Sequence, residues 1–300
     1  MSSFPTAARS VTASAATRCA TFEHDGWRFD VTDTGPADGE TVVLLHGFPQ
    51  SRACWSRVAP LLVHAGFRVV APDQRGYSPG ARPRGRRPYR LERLAADVIA
   101  LIDTVGVERA HVVGHDWGGA VAWALSARHP DRLASMTSLA TPHGRAMRQA
   151  LWSSNQLARS WYIAMFQIPW LPDTVLRGAA SAAFQRALVR SGLGERDAEI
   201  YAAWLRQPGA ATAAINWYRA LPFATKADLG RSTVPTLYVY GSADVALGQR
   251  AADLTADHVD AAYHYEVLDG ASHWLPECEA ETVAALIVNH ARRSAASDRS

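Results

Sequence analysis

The run His111-Val112-Val113-Gly114-His115-Asp116-Trp117-Gly118-Gly119-Ala120 constrains this chain more than any other stretch. It reads as a short apolar strand, a sharp glycine-flanked turn and the start of a helix. A strand-turn-helix of this kind lifts one side chain above a sheet. Gly114 and Gly118 stand two residues either side of the apex, where a Cβ would collide in so tight a turn. The apex is Asp116, where such turns usually carry serine. A turn like this needs a sheet beneath it and helices around it.

The flanking chain supplies both. Trp27–Thr32 alternates as an edge strand, and Thr41–Leu45 is a compact β-branched and leucine run that reads as a buried parallel strand. Cys54–Val63 looks helical, and Phe67–Ala71 is the next strand. Leu91, Leu94, Ala95, Val98, Ile102 and Val105 keep helical spacing on one face. A helix from about Gly118 to Arg128 follows the turn, stopping before Pro130, and Leu133–Leu139 is another strand. From Thr141-Pro142-His143 to about Leu229 the chain is helix-like and rich in Trp, Tyr and Ala, with no clear strand. Thr236–Tyr240, a helix after Ala246, Tyr263–Leu268 and a last helix with Val283, Leu286, Ile287 and His290 on one face resume the earlier rhythm. Strands alternating with helices imply an α/β fold, a mostly parallel sheet covered on both faces. The expected division is a tail over 1–20, a core from 21–141 and 230–300, and an inserted helical cap over 142–229.

Composition excludes several other classes. No apolar run is long enough to span a membrane, so none is expected as a partner. Residues 1–20 lack the basic start and apolar block of a signal peptide. The net charge is +3, and the basic residues are nearly all arginine, Lys226 being the only lysine. The dense run Arg82–Arg90 is broken by Pro83, Gly85 and Pro88, and reads as a solvated loop more readily than as a phosphate-binding patch. Nucleic acid is not an expected partner. Cys19, Cys54 and Cys278 are far apart and odd in number, which points to a reducing compartment, the cytoplasm, without disulfides. No Cys or His spacing suits a metal.

The chemistry follows from the turn. A hydrolase of this layout needs a nucleophile, a base, a group orienting the base and donors for an oxyanion. The chain order is nucleophile, acid, histidine. Asp116 is the nucleophile candidate. Asp244 follows the Thr236–Tyr240 strand and His273 follows the Tyr263–Leu268 strand, where loops at the carboxyl ends of parallel strands form ligand sites. Asp253, Asp257, Asp260 and Asp269 are alternatives to Asp244, which only its position favours. The backbone N–H groups of Phe48 and Trp117 are the candidate oxyanion donors, and both residues are expected to line the substrate site. His46 and His115 read as structural or orienting. A carboxylate nucleophile can attack an sp³ carbon and form an ester whose carbonyl belongs to the enzyme. That chemistry suits strained epoxides or alkyl halides and argues against ordinary esterase chemistry.

His46-Gly47-Phe48-Pro49, Gly114-His115-Asp116-Trp117-Gly118-Gly119, Gly241-Ser242-Ala243-Asp244 and Ser272-His273-Trp274, in that order, resemble the epoxide hydrolases of the α/β-hydrolase superfamily. The likeness runs from about Thr41 to His290, and is more distant to the haloalkane dehalogenases. The resemblance implies the α/β-hydrolase fold and two cap tyrosines that hold and protonate an epoxide oxygen. Ser160-Trp161-Tyr162-Ile163 and Asn216-Trp217-Tyr218-Arg219 look like the segments concerned, pointing to Tyr162 and Tyr218. It implies a small apolar epoxide and water as reactants and no cofactor, and leaves a homodimer open. Phe48 stands where dehalogenases commonly have a halide-binding Asn. A dehalogenase, with Trp117 as halide donor, is the second reading, and a binding protein with a silent site is the third.

Overall fold

The structure, a computed structural model, describes residues 18–178 and 181–297. The expected tail lies outside them up to residue 17. Eight strands form one sheet: β1 (Thr21–His24), β2 (Trp27–Thr34), β3 (Thr41–Leu45), β4 (Arg68–Pro72), β5 (Ala110–His115), β6 (Leu133–Leu139), β7 (Thr236–Gly241) and β8 (Tyr263–Leu268). Their order is β1-β2-β4-β3-β5-β6-β7-β8. Pairing is antiparallel for β1 with β2 and for β2 with β4, and parallel from β4 through β8. The α/β expectation holds. One detail is corrected: the strand beginning at Trp27 is not at the edge. The short strand Thr21–His24, too short to announce itself by alternation, pairs outside it.

The central strands β3, β4, β5 and β7 are buried at every residue, on both faces of the sheet. β3 is buried at all five residues. Val43, Leu45 and Val112 point to one side, while Val42, Leu44 and Val113 point to the other, as the period of two requires. The first set packs under the helix Leu91–Val105, where Leu94, Val98, Leu101 and Ile102 are buried. Each such side chain contributes about 1.5–3 kcal/mol by leaving water. The second set meets Leu62 of the helix Val58–His64 and Ile287 of the helix Ala280–Ser297.

Between β6 and β7 the chain runs through helices Gly144–Ser153, Gln156–Arg159, Trp161–Phe166, Leu171–Arg177, Ser181–Arg190, Glu195–Leu205 and Ala210–Ala220, with no strand among the described residues. The arginine-rich loop is only partly the solvated segment its sequence suggests. Arg84, Arg86 and Arg87 are exposed, but Tyr89 is buried. Arg82 lies over Trp204, and Arg86 and Arg87 over Phe223. The loop thus braces the helical insertion. No helix of the described residues is long and apolar enough to cross a membrane.

Candidate active site

Asp116 occupies the turn between β5 and the helix Trp117–Arg128 with φ 51° and ψ −119°. A non-glycine residue at positive φ is strained, and such residues cluster at functional sites. The neighbours explain how it is held. A Cβ on Gly114 would lie 2.1 Å from the Gly118 carbonyl oxygen, and one on Gly118 would lie 2.0 Å from the Leu45 oxygen. Neither position tolerates a side chain, because each contact is with backbone. The Asp116 carbonyl accepts from the Thr141 hydroxyl at 2.6 Å. Sequence reasoning used Thr141 only as a boundary.

Four strand ends converge on this point. After β3, the Phe48 N–H donates to Asp116 Oδ1 at 2.7 Å. After β8, His273 Nε2 stands 3.6 Å from Asp116 Oδ2. After β7, Asp244 Oδ2 accepts from His273 Nδ1 at 2.7 Å. Asp244 Oδ1 accepts from the N–H groups of Ala246 and Leu247 at 2.7 and 2.9 Å. Asp244 is the aspartate that meets His273. Asp269 instead accepts from the exposed Ser242 hydroxyl, and Asp260 pairs with Arg231. As the first residue of its helix, Trp117 has an N–H without an intrahelical acceptor.

The charges are coupled. Burial opposes ionisation of Asp116, but the hydrogen bond and charge of His273 outweigh it and hold the carboxyl below its ordinary range. Burial likewise lowers His273, yet the Asp244 carboxylate and the contact with Asp116 lift it well above its ordinary value. The geometry is that of an ionised carboxylate facing an imidazole whose far side is fixed by a second carboxylate.

Aromatic side chains wall the carboxylate. Tyr218 sits edge-on to Phe48 at 5.2 Å and to Trp117 at 5.0 Å between ring centroids. Tyr162 lies edge-on to Tyr218 at 5.8 Å. The two tyrosines, 56 positions apart in sequence and on different helices of the insertion, are brought together here. Burial first, then the Asp116 charge, raises both hydroxyl pKa values far above the phenol range, so both stay protonated.

The histidines beside these groups serve structure. His46 Nε2 accepts from the Gln74 N–H at 3.1 Å, and its carbonyl from the Gln74 amide at 2.6 Å. His115 Nδ1 is 2.8 Å from Gln50 Oε1 and its Nε2 is 2.8 Å from the His273 carbonyl oxygen. Burial and the nearby His273 push its pKa down to about 4. A neutral ring has one N–H, so it donates to only one of these acceptors at a time. Gln50, Glu277 and Tyr201, which complete this cluster, were not singled out in the sequence. Glu277 stands four residues after His273, but local sequence does not mark it as buried. No group of His, Cys, Asp and Glu among the described residues is arranged to hold a metal.

Comparison with known proteins bears on the fold and the family. Residues 40–279 match the family described as the alpha/beta hydrolase fold. The chain is 36% identical to the AB hydrolase superfamily protein YfhM of Bacillus subtilis, over 91% of this chain and 97% of that protein. It is 34% identical to Epoxide hydrolase A of Mycobacterium tuberculosis, over 88% and 94% respectively. The solved structure of Epoxide Hydrolase A from Mycobacterium thermoresistibile superposes with a TM-score of 0.79 at 27% identity, covering 93% of this chain and 98% of that one.

Proposed function

The chain belongs to the α/β-hydrolase superfamily and, within it, to the epoxide hydrolase family, and on that footing we propose that it opens an epoxide to a vicinal diol through a covalent ester on Asp116. The observation that carries this reading is the Asp116 carboxylate, held by Phe48 and faced by His273, beneath the Tyr162–Tyr218 pair. We take the helices of residues 142–229 as the cap that delivers those tyrosines.

In the first step Asp116 Oδ2 attacks an epoxide carbon and the carbon–oxygen bond of the ring breaks. Tyr162 and Tyr218 hold the ring oxygen, and one hydroxyl proton passes to the nascent alkoxide, which is far more basic than phenolate. Oδ1 becomes the ester carbonyl while already bonded to the Phe48 N–H. In the second step His273 Nε2 takes a proton from water, whose oxygen attacks Asp116 Cγ. Charge develops on Oδ1, where the N–H groups of Phe48 and Trp117 stabilise it. The Cγ–Oδ2 bond breaks, the departing alkoxide oxygen Oδ2 takes the second water proton and leaves as the diol, and the carboxylate is restored with an oxygen from water. The phenolate recovers its proton from His273 or solvent.

The coupled charges suit this order. Asp116 is ionised when a nucleophile is needed. Ester formation removes its negative charge, and with it part of what raises His273. The imidazole therefore becomes easier to deprotonate at the step where a neutral base is required.

The test is the intact mass of a His273→Gln variant exposed to a panel of epoxides and a panel of alkyl halides. The variant keeps the nucleophile and loses the base, so the ester accumulates. An adduct of the whole epoxide mass on the Asp116 peptide is the expected result. An alkyl-only adduct from the halides would move the assignment to dehalogenation. No adduct from either panel would favour a binding protein with a silent site.

A further inference from the structure

A line of close buried polar contacts outside the triad runs from the helical insertion to His273. Tyr201, on the helix Glu195–Leu205, donates its hydroxyl to Glu277 Oε1 at 2.6 Å. The same oxygen accepts from Gln50 Nε2 at 2.7 Å. Gln50 Oε1 accepts from the Gly47 N–H at 2.8 Å. These two contacts orient the amide, so its oxygen is the atom that faces His115 Nδ1. The His115 ring lies between that oxygen and the His273 carbonyl and donates to one of the two; the carbonyl also accepts from the Leu275 N–H at 2.9 Å. Gln50 and His115 are fully buried, and Tyr201 and Glu277 are 3% and 5% exposed.

Glu277 is an expensive way to fill this space. Its Oε2 is buried with no hydrogen-bond partner, and burial raises its carboxyl to about 7. A leucine would occupy a similar volume and remove the unpartnered Oε2, but would leave the Tyr201 hydroxyl and the Gln50 amide without their acceptor. The carboxyl is therefore explained by what its other oxygen holds. Through Gln50 that oxygen reaches two groups flanking Asp116: the Gly47 peptide, next to the Phe48 donor, and the backbone of His273.

We propose that Glu277 is a positioning residue for the water-attack step: acting through Gln50 and His115, it keeps the Phe48 N–H and His273 in register about Asp116. Tyr201 makes that register depend on the insertion being seated. The step affected rests on the covalent reading above; the positioning itself does not.

Glu277→Leu, Glu277→Gln and Tyr201→Phe test it with two readouts. Without substrate, the low-field ¹H NMR resonance of the His273 Nδ1–H reports its bond to Asp244. It should shift or broaden in Glu277→Leu and in Tyr201→Phe, and stay in place in Glu277→Gln, whose amide oxygen can still accept from both partners. With a styrene-type epoxide, rapid quench should show Glu277→Leu accumulating ester. Its kcat should fall about tenfold or more, with KM falling alongside so that kcat/KM stays within about threefold, because only the step after ester formation is slowed by the misplaced groups. Glu277→Gln should restore most of the rate. A folded Glu277→Leu with an unmoved resonance and an unchanged ester-hydrolysis rate would overturn the proposal. So would loss of thermal stability alone, with both readouts intact. If Glu277→Leu does not fold, Tyr201→Phe, which loses one hydroxyl, decides on the same readouts. If the wild-type protein turns over no epoxide, the functional reading fails, and the resonance still decides the positioning.

Discussion

Two residues, Asp116 and His273, set each other's charge. His273 is raised on folding, so its pairing stabilises the native state below the unfolded value of about 6.5, and that contribution is lost as pH rises through the folded value. Asp116 is lowered, so its contribution is present above about 4 and is lost as pH falls through the folded value. The pair is thus fully effective between about pH 4 and 6.5, the interval both conditions share. Replacing Asp116 with Asn removes the charge and keeps the shape. The His273 pKa followed by NMR should then fall, and an unchanged value would mean that Asp244 alone sets it. The tyrosines make a second case. Tyr162→Phe or Tyr218→Phe should each lower kcat/KM for an epoxide by about 10²-fold, the usual size of a lost general acid. The double variant should lose most remaining turnover. Unchanged turnover in the double variant would exclude these hydroxyls from the reaction.

At the scale of the element, the turn at Asp116 stands on close backbone contact. Gly118→Ala would drive a Cβ to 2.0 Å from the Leu45 carbonyl oxygen. Rigid backbone on both sides leaves no cheap relaxation, so a loss of about 2 kcal/mol or more is expected, along with activity. Gly85→Ala is the control. Its φ is +80°, but nothing lies within 4 Å of the added Cβ. It should cost about 1 kcal/mol from the backbone conformation alone and leave the reaction untouched. Thermal melts of the two variants make the comparison. Equal losses would mean that the backbone around Gly118 relaxes to admit the Cβ, and that contact is not what this glycine supplies.

Across the whole molecule, the insertion must sit correctly for its tyrosines to face the sheet. Trp217 is one of the joints. It is fully buried, donates from Nε1 to the Arg75 carbonyl at 2.8 Å, and packs against Tyr77 and His46. Trp217→Phe keeps a ring but strands that carbonyl, which costs about 1–3 kcal/mol in a buried setting. The expected result is a lower melting temperature, faster proteolysis between residues 144 and 220, and reduced turnover, because Tyr218 is the next residue. Normal turnover with a lower melting temperature would show that the joint serves stability alone.

Much of this was legible in the chain. The buried strand Thr41–Leu45 announced itself as a run of Val and Leu, since burial on both faces favours apolar residues at consecutive positions, and Leu133–Leu139 and Tyr263–Leu268 agree with the sequence reading residue for residue. The turn at Asp116 was legible because its glycines are demanded by contacts within a few residues. Asp244 was separable from Asp253, Asp257, Asp260 and Asp269 only weakly, because the first three of these follow the same strand, Asp269 lies close to His273 in sequence, and only the fold decides which meets His273. Thr21–His24 escaped notice as four residues with no period to read. Gln50, Glu277 and Tyr201 were beyond reach for a stronger reason. Their hydrogen bonds join positions 76 and 227 apart, and no local pattern encodes a contact that exists only once three separate elements have packed.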